Sequence, residues 1–124
     1  MKKFILLLLC MSFSICIFAN ERYHIKVLRE ISYQQAQTYE RKWEISTYSY
    51  TVNGMNIHKK YYLFAEGIQH GSSIIIQNKK NGLPWEVRID GRSYYASFED
   101  EEELRVGDKG VLKYDGDRLY FYKY

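Results

Sequence analysis

Gly110-Val111-Leu112-Lys113-Tyr114-Asp115-Gly116-Asp117-Arg118-Leu119-Tyr120-Phe121-Tyr122-Lys123-Tyr124 reads as two β-strands folded back on each other. Asp115-Gly116 is a dipeptide that accepts positive φ and closes a tight hairpin. On the return strand Leu119 and Phe121 alternate with Tyr120, Tyr122 and Tyr124, so one face is apolar and the other carries phenol rings, as a period of two requires. Gly107-Asp108 and Gly110 make a tight entry into the first strand, and Leu112 packs inward.

Three more pairs of the same kind, Asn53-Gly54, Asn81-Gly82 and Asp90-Gly91, lie between β-prone runs and extend the pattern upstream. Strands are expected near Tyr23 to Arg29, Trp43 to Val52, Met55 to Phe64, Ser73 to Asn78, Trp85 to Ile89, Arg92 to Ser97, Gly110 to Tyr114 and Arg118 to Lys123. Ile74-Ile75-Ile76 is apolar on both faces, which suits a central strand, and Pro84 falls just ahead of a strand, where its missing N–H is least costly. The run from Trp43 changes face: Trp43 and Ile45 are apolar on one side, Tyr48, Tyr50 and Val52 on the other. A bulge near Ser46-Thr47 would reconcile the halves.

Helix is scarce. Glu30 to Arg41 is polar and glutamine-rich and fits a helix or a long loop. The acidic run Glu99-Asp100-Glu101-Glu102-Glu103 precedes Leu104, and acids in a first turn favour one or two helical turns between Phe98 and Arg105. The fold class is therefore all-β: a small antiparallel barrel, five-stranded and oligonucleotide-binding (OB)-like, with an extra hairpin around Asn53-Gly54 and one short helical turn. A closed barrel manages its edges without disulfides.

The N-terminus has its own logic. Met1-Lys2-Lys3 followed by the apolar run Phe4 to Phe18 and the small Ala19 has the form of an export signal. Both cysteines follow a bulky residue, Leu9 before Cys10 and Ile15 before Cys16, unlike a lipoprotein site. The run is shorter than the roughly 20 apolar residues that span a bilayer. Residues 1–19 thus read as a cleaved signal peptide and residues 20–124 as a single β-barrel domain, periplasmic or secreted. The alternative is an inner-membrane anchor formed by residues 4–19, the one membrane contact expected.

The whole chain has 18 Lys plus Arg against 15 Asp plus Glu. Losing Lys2 and Lys3 reduces a balance of +3 to +1, and both cysteines leave with the signal. A disulfide scaffold, a cysteine metal site, a thiol enzyme and a strongly basic nucleic-acid domain are excluded on those grounds. His24, His58 and His70 show no His-x-x-x-His spacing for zinc. Gly71-Ser72-Ser73 lacks the glycine that completes a nucleophile elbow. The eight glycines sit in turns rather than in a phosphate cradle, and five consecutive acids cannot all face one calcium ion. A carboxylate pair for glycoside hydrolysis leaves no sequence signature, but 105 residues without a deep second layer make such a cleft unusual. No cofactor, no metal and no nucleic acid are expected, and the chain reads as a non-enzyme.

Thirteen tyrosines suit the wall of a small barrel, buried on one side and wet at the hydroxyl. They also interleave with cations, as in Lys59-Lys60-Tyr61-Tyr62 and Arg88 to Tyr95, an arrangement that can stack flat ligands. Tyr61, Tyr62, Tyr94, Tyr95, Tyr120 and Tyr122 are the candidate ligand-binding surface.

The stretch Trp85 to Asp90, then Tyr94-Tyr95-Ala96, then Leu104 to Leu119 resembles the bacterial envelope family called domain of unknown function 2500. Gly107, Asp108, Gly110, Tyr114, Gly116 and Arg118, with Val106 and Leu112, occupy the positions of that family's V-G-D-x-G-x-L-x-Y-x-G-x-R pattern, and the resemblance covers about residues 74–122. It implies a compact β-barrel on the outer side of the inner membrane and brings no activity with it. Residues 31–70 exceed the family's usual spacing, which makes that insertion a natural seat for a function of this chain alone. The expected function is a non-enzymatic envelope module that binds a protein or peptide partner through an exposed edge or a tyrosine-rich face. A glycan- or peptidoglycan-binding domain is the alternative, and a small enzyme or enzyme inhibitor ranks below both.

Overall fold

The computed structural model describes residues 22–54 and 56–124, so residues 1–19, read from the sequence as a signal peptide, and Met55 lie outside the described residues. Eight strands follow in order: β1 (Arg22–Ile31), β2 (Ile45–Val52), β3 (Asn56–Phe64), β4 (Ser72–Lys79), β5 (Trp85–Ile89), β6 (Arg92–Phe98), β7 (Lys109–Asp115) and β8 (Arg118–Lys123). One helix, α1 (Tyr33–Thr38), and two 3-10 turns (Lys42–Glu44, Glu101–Glu103) complete the described elements.

Every pairing is antiparallel, and the sheet closes because β1 pairs with β6 on one edge and β8 on the other. The six staves run β1-β6-β5-β4-β7-β8. β4, β5 and β6 form a meander and β7 returns beside β4, the order of a Greek key. The architecture is the expected small OB-like barrel with one correction: six strands close it, not five, because β1 inserts between β6 and β8.

The hairpin expected around Asn53-Gly54 is β2–β3, with both turn residues at positive φ. It attaches where β1 outruns the barrel. Arg22–His24 pair with β8, whereas Leu28–Ile31 pair on that same edge with β3. Asp90-Gly91 closes β5–β6 in the same way. The last hairpin differs in detail. Asp115 still pairs with Arg118, so Gly116-Asp117 is the loop, with glycine leading.

Two local expectations change. No bulge interrupts β2, whose register with β3 is continuous from Ile45–Leu63 to Val52–Asn56. The strand begins after Trp43, which sits in a 3-10 turn, so the change of face marks an element boundary. The register shift falls in β4, between Ile76 and Asn78.

Strand alternation fills the barrel with Ile25, Val27, Ile74, Ile76, Val87, Ile89, Leu112 and Phe121, and Leu104 plugs one end. The acidic run lies over that plug and is more than a solvated turn. Trp85 Nε1 donates to Glu101 at 2.8 Å, the Tyr23 hydroxyl donates to Glu103 at 3.5 Å, and Glu99 lies 3.2 Å from His24 Nδ1. Alternate acids thus reach back to polar tips of the wall beneath them.

The six motif positions are structural in their local contacts. Asp108 accepts the Arg105 N–H at 2.8 Å and squares the corner into β7. Gly110 lets β7 approach β8, since a Cβ there would overlap the Tyr122 carbonyl and lie 2.5 Å from Phe121 Cε1. The Tyr114 hydroxyl donates to the Ile68 carbonyl at 2.7 Å and its N–H to His70 Nδ1 at 3.0 Å, pinning the β3–β4 connection. Gly107 and Gly116 take positive φ in turns, and Arg118 opens β8 exposed to solvent.

Candidate functional site

The six candidate tyrosines do not form one surface. Tyr62 is 1 % exposed, with edge contacts to Tyr48 at 5.4 Å and Tyr95 at 5.2 Å. These rings join the inserted hairpin to the outer wall of β6, over a fully buried Leu28. Burial disfavours the phenolate, so both Tyr62 and Tyr95 ionise above the ordinary tyrosine range, and the nearby Glu30 carboxylate adds to the effect. Tyr61 faces the other way and packs on Tyr33 of α1 at 5.7 Å. Tyr94 points inward and packs against the core. Tyr120 and Tyr122 stand together on the outer face of β8, 6.5 Å apart.

The hairpin therefore covers the outer face of the barrel near β5–β6. Its tip side approaches the β4–β5 turn, where a Cβ on Gly82 would lie 3.1 Å from that of Tyr50. In OB-type barrels the second and third strands and the adjoining loops present the ligand face. In this Greek key those strands are β5 and β6, and the chain's own tyrosines occupy that side.

The open space lies elsewhere. A groove of about 600 Å³ occurs where β1 leaves the barrel. Arg29 of β1, Leu63 and Phe64 of β3, Ala65 and Glu66 beyond it, and Tyr94 of β6 form one side, and Tyr39, Trp43 and Glu44 form the other. The second wall follows from local sequence. Ser32 caps α1 by accepting the Gln35 N–H at 3.1 Å, while the Gln35 side chain accepts the Ser32 N–H at 2.9 Å, a reciprocal capping box. Ala36 is buried, and the chain then extends through Tyr39 to the 3-10 turn that carries Trp43.

Trp43 is 72 % exposed, the Arg41 guanidinium sits 5.7 Å over its ring, and Arg41 also lies 3.8 Å from Glu44. An exposed indole with one face covered by a cation is a rigid amphipathic anchor at the groove's lip. Of the six tyrosines, only Tyr94 lines this groove. Tyr39, Trp43, Phe64, Arg29 and the two glutamates were not singled out from sequence; the change of face at Trp43 was the signal that could have found the most exposed of them.

Reactive side chains do not converge there. The groove lining holds two carboxylates, Glu44 and Glu66, and no histidine, serine or cysteine. His24, His58 and His70 each pack on a different tyrosine, Tyr120, Tyr50 and Tyr114. Asp90 is engaged by the Ser72 hydroxyl and by the N–H and hydroxyl of Ser73, which hold its carboxyl below the usual aspartate range. Among the described residues no group of three or more His, Cys, Asp or Glu is placed to hold a metal ion, and no helix is long and apolar enough to cross a membrane. No family model matches the chain, nor does any curated protein or solved structure.

Proposed function

We propose that the protein is an exported envelope module that binds its ligand without transforming it, and that the ligand is a peptide segment of a protein partner seated in the Trp43 groove. The observation that carries the reading is the exposed Trp43 indole at the lip of a groove walled by Leu63, Phe64 and Tyr94. Interfaces concentrate binding in a few Trp, Tyr and Arg side chains backed by apolar pockets and ringed by polar groups. Arg29, Glu44 and Glu66 supply a rim of both signs, which suits a peptide better than a neutral sugar. Most of the lining comes from the insertion at residues 31–70, the part that departs from the family pattern. The Val106-to-Arg118 motif supports placing the chain with the envelope family named above, and the apolar run Phe4 to Phe18 supports export.

The test is a photo-crosslinking amino acid in cells in place of Glu66, an exposed groove residue that leaves Trp43 intact, with the exposed Val106 as control position. A discrete adduct at position 66 that digests to peptides of a second protein, is lost when Trp43→Ala is added, and is absent at position 106, is the expected outcome. No adduct, combined with retention on purified peptidoglycan that is lost in Trp43→Ala, would replace the peptide by a glycan.

A further inference from the structure

We propose that the outer face of the β7–β8–β1 wall is a membrane-docking surface that rests on anionic phospholipid headgroups. Side chains alternate along β8, so Phe121 enters the core while Tyr120 and Tyr122 face outward, and Tyr124, 80 % exposed, prolongs the row. Register places Lys113 beside Tyr120 and Val111 beside Tyr122 on one flank, and Arg22 across from Tyr122 on the other. The Tyr124 N–H donates to the Lys109 carbonyl at 2.9 Å, which brings a second exposed lysine alongside.

The cations and rings are already in contact. The Arg22 guanidinium lies 4.3 Å over the Tyr120 ring and the Lys113 ammonium 5.7 Å over that of Tyr122. Asp115, the carboxylate on this part of β7, is engaged by Arg22 at 2.9 Å. Lys109 and Lys113 are left as exposed cations beside three amphipathic rings. Tyrosine rings favour the headgroup level of a bilayer, and lysines beside them are drawn to anionic lipid.

Chain connectivity selects the occupant. The barrel begins at Arg22 on this face, and the apolar run Phe4 to Phe18 ends four residues upstream of it. Four residue steps reach about 14 Å when fully extended. Whenever that run lies in a bilayer, during export or as a retained anchor, this face is the part of the domain held closest to the headgroups. The Trp43 groove is reached at Arg29, seven residues on along β1, roughly 23 Å away at strand rise, so docking leaves it open.

A chain beginning at Asn20 contains every residue of the closed barrel and its core, and can be tested directly. It should co-sediment with vesicles holding about 30 % phosphatidylglycerol, bind purely zwitterionic vesicles several-fold less, and lose roughly tenfold in affinity between about 0.05 M and 0.3 M salt. Lys109→Gln combined with Lys113→Gln should abolish most of that binding, whereas Lys59→Gln with Lys60→Gln should not. Equal binding to both vesicle types, or equal loss in both double variants, overturns the proposal; so does stronger binding to a soluble anionic glycan than to the vesicles. Orientation gives a second readout, because the Asn20 chain has no cysteine. With its N-terminus tethered to the vesicle, a fluorophore on Val111→Cys should be quenched by nitroxide lipid and one on Ile57→Cys should not. Equal quenching at both positions, or none at Val111→Cys, refutes docking by this face even if bulk affinity is too weak to sediment.

Discussion

Gly110→Ala should be among the most damaging single-methyl changes in the protein. Gly110 does not need its conformational freedom, because its φ lies outside the left-handed region; it is required by space alone. The added carbon would overlap the Tyr122 carbonyl and sit 2.5 Å from Phe121 Cε1. Phe121 is fully buried among the barrel's core side chains, and the carbonyl belongs to the β7–β8 ladder, so neither neighbour is a flexible tip that can swing aside. Overpacking usually costs about 1–3 kcal/mol, and two rigid neighbours place this case near 3. For a domain of this size that lowers Tm by roughly 12–24 °C. Gly91→Ala is the matched control: its φ is +82° with nothing within 4 Å, so it carries only the left-handed backbone cost of about 1–2 kcal/mol. Thermal melts and urea titrations of both variants measure the difference. Phe121→Leu added to Gly110→Ala should recover little, because the carbonyl overlap remains. If Gly110→Ala proves no worse than Gly91→Ala, with the urea slope unchanged, the close β7–β8 approach is not holding the barrel shut.

Tyr62→Ala should destabilise by about 3–5 kcal/mol and expose the β2–β3 hairpin to protease before the barrel unfolds, since this ring joins Tyr48 to Tyr95; simultaneous cleavage throughout would count against a separately docked hairpin. Tyr114→Phe should cost about 1 kcal/mol by removing the bond to the Ile68 carbonyl, read by urea denaturation. Calcium should leave Tm unchanged, because Glu101 and Glu103 accept from Trp85 and Tyr23, and Glu99 faces His24; a rise on adding the ion would reverse that reading. The Asp90 carboxyl, depressed first by the Ser72 hydroxyl and then by the Ser73 N–H, should titrate below the ordinary 3.8 in carbon-13 spectra. A depressed folded value means its stabilising effect is present above the unfolded value and fades as pH falls through the folded one. Ser72→Ala should raise the midpoint.

Much of the barrel was legible because turn chemistry and period-two alternation act locally. Asn53-Gly54 and Asp90-Gly91 close the hairpins expected of them, and Trp85–Ile89 and Arg118–Lys123 match their expected spans. The count of staves was not legible, because β1 is shared: its two halves serve the barrel and the hairpin, and nothing in a run of alternating residues says where a strand changes partner. The β2 bulge was inferred from a real conflict at Trp43, but a strand that starts two residues later takes Trp43 out of it and leaves Ile45 alone on the face opposite Tyr48 and Tyr50. Period-two alternation puts Tyr61 and Tyr62 on opposite faces of β3; that Tyr62 meets Tyr95 on the outer wall of β6 is a long-range pairing with no local signature.

That pairing relocates the site. An aromatic-rich OB-like barrel invites a ligand on the side of β5 and β6, yet Tyr62 already meets Tyr48 and Tyr95 edge-on there, and three of the six tyrosines marked in sequence, Tyr61, Tyr62 and Tyr95, are committed to holding the insertion down. An insertion that only sealed this side could end with α1. Instead the chain continues through Tyr39 to a 3-10 turn that leaves a tryptophan in solvent beside an open groove. A large exposed indole adds nothing to a fold that closes without it, so Trp43→Ala should move Tm by no more than about 2–4 °C, the equivalent of roughly 0.5 kcal/mol, while removing the partner crosslink from the groove. A large loss of stability would instead make Trp43 part of the packing that docks the insertion.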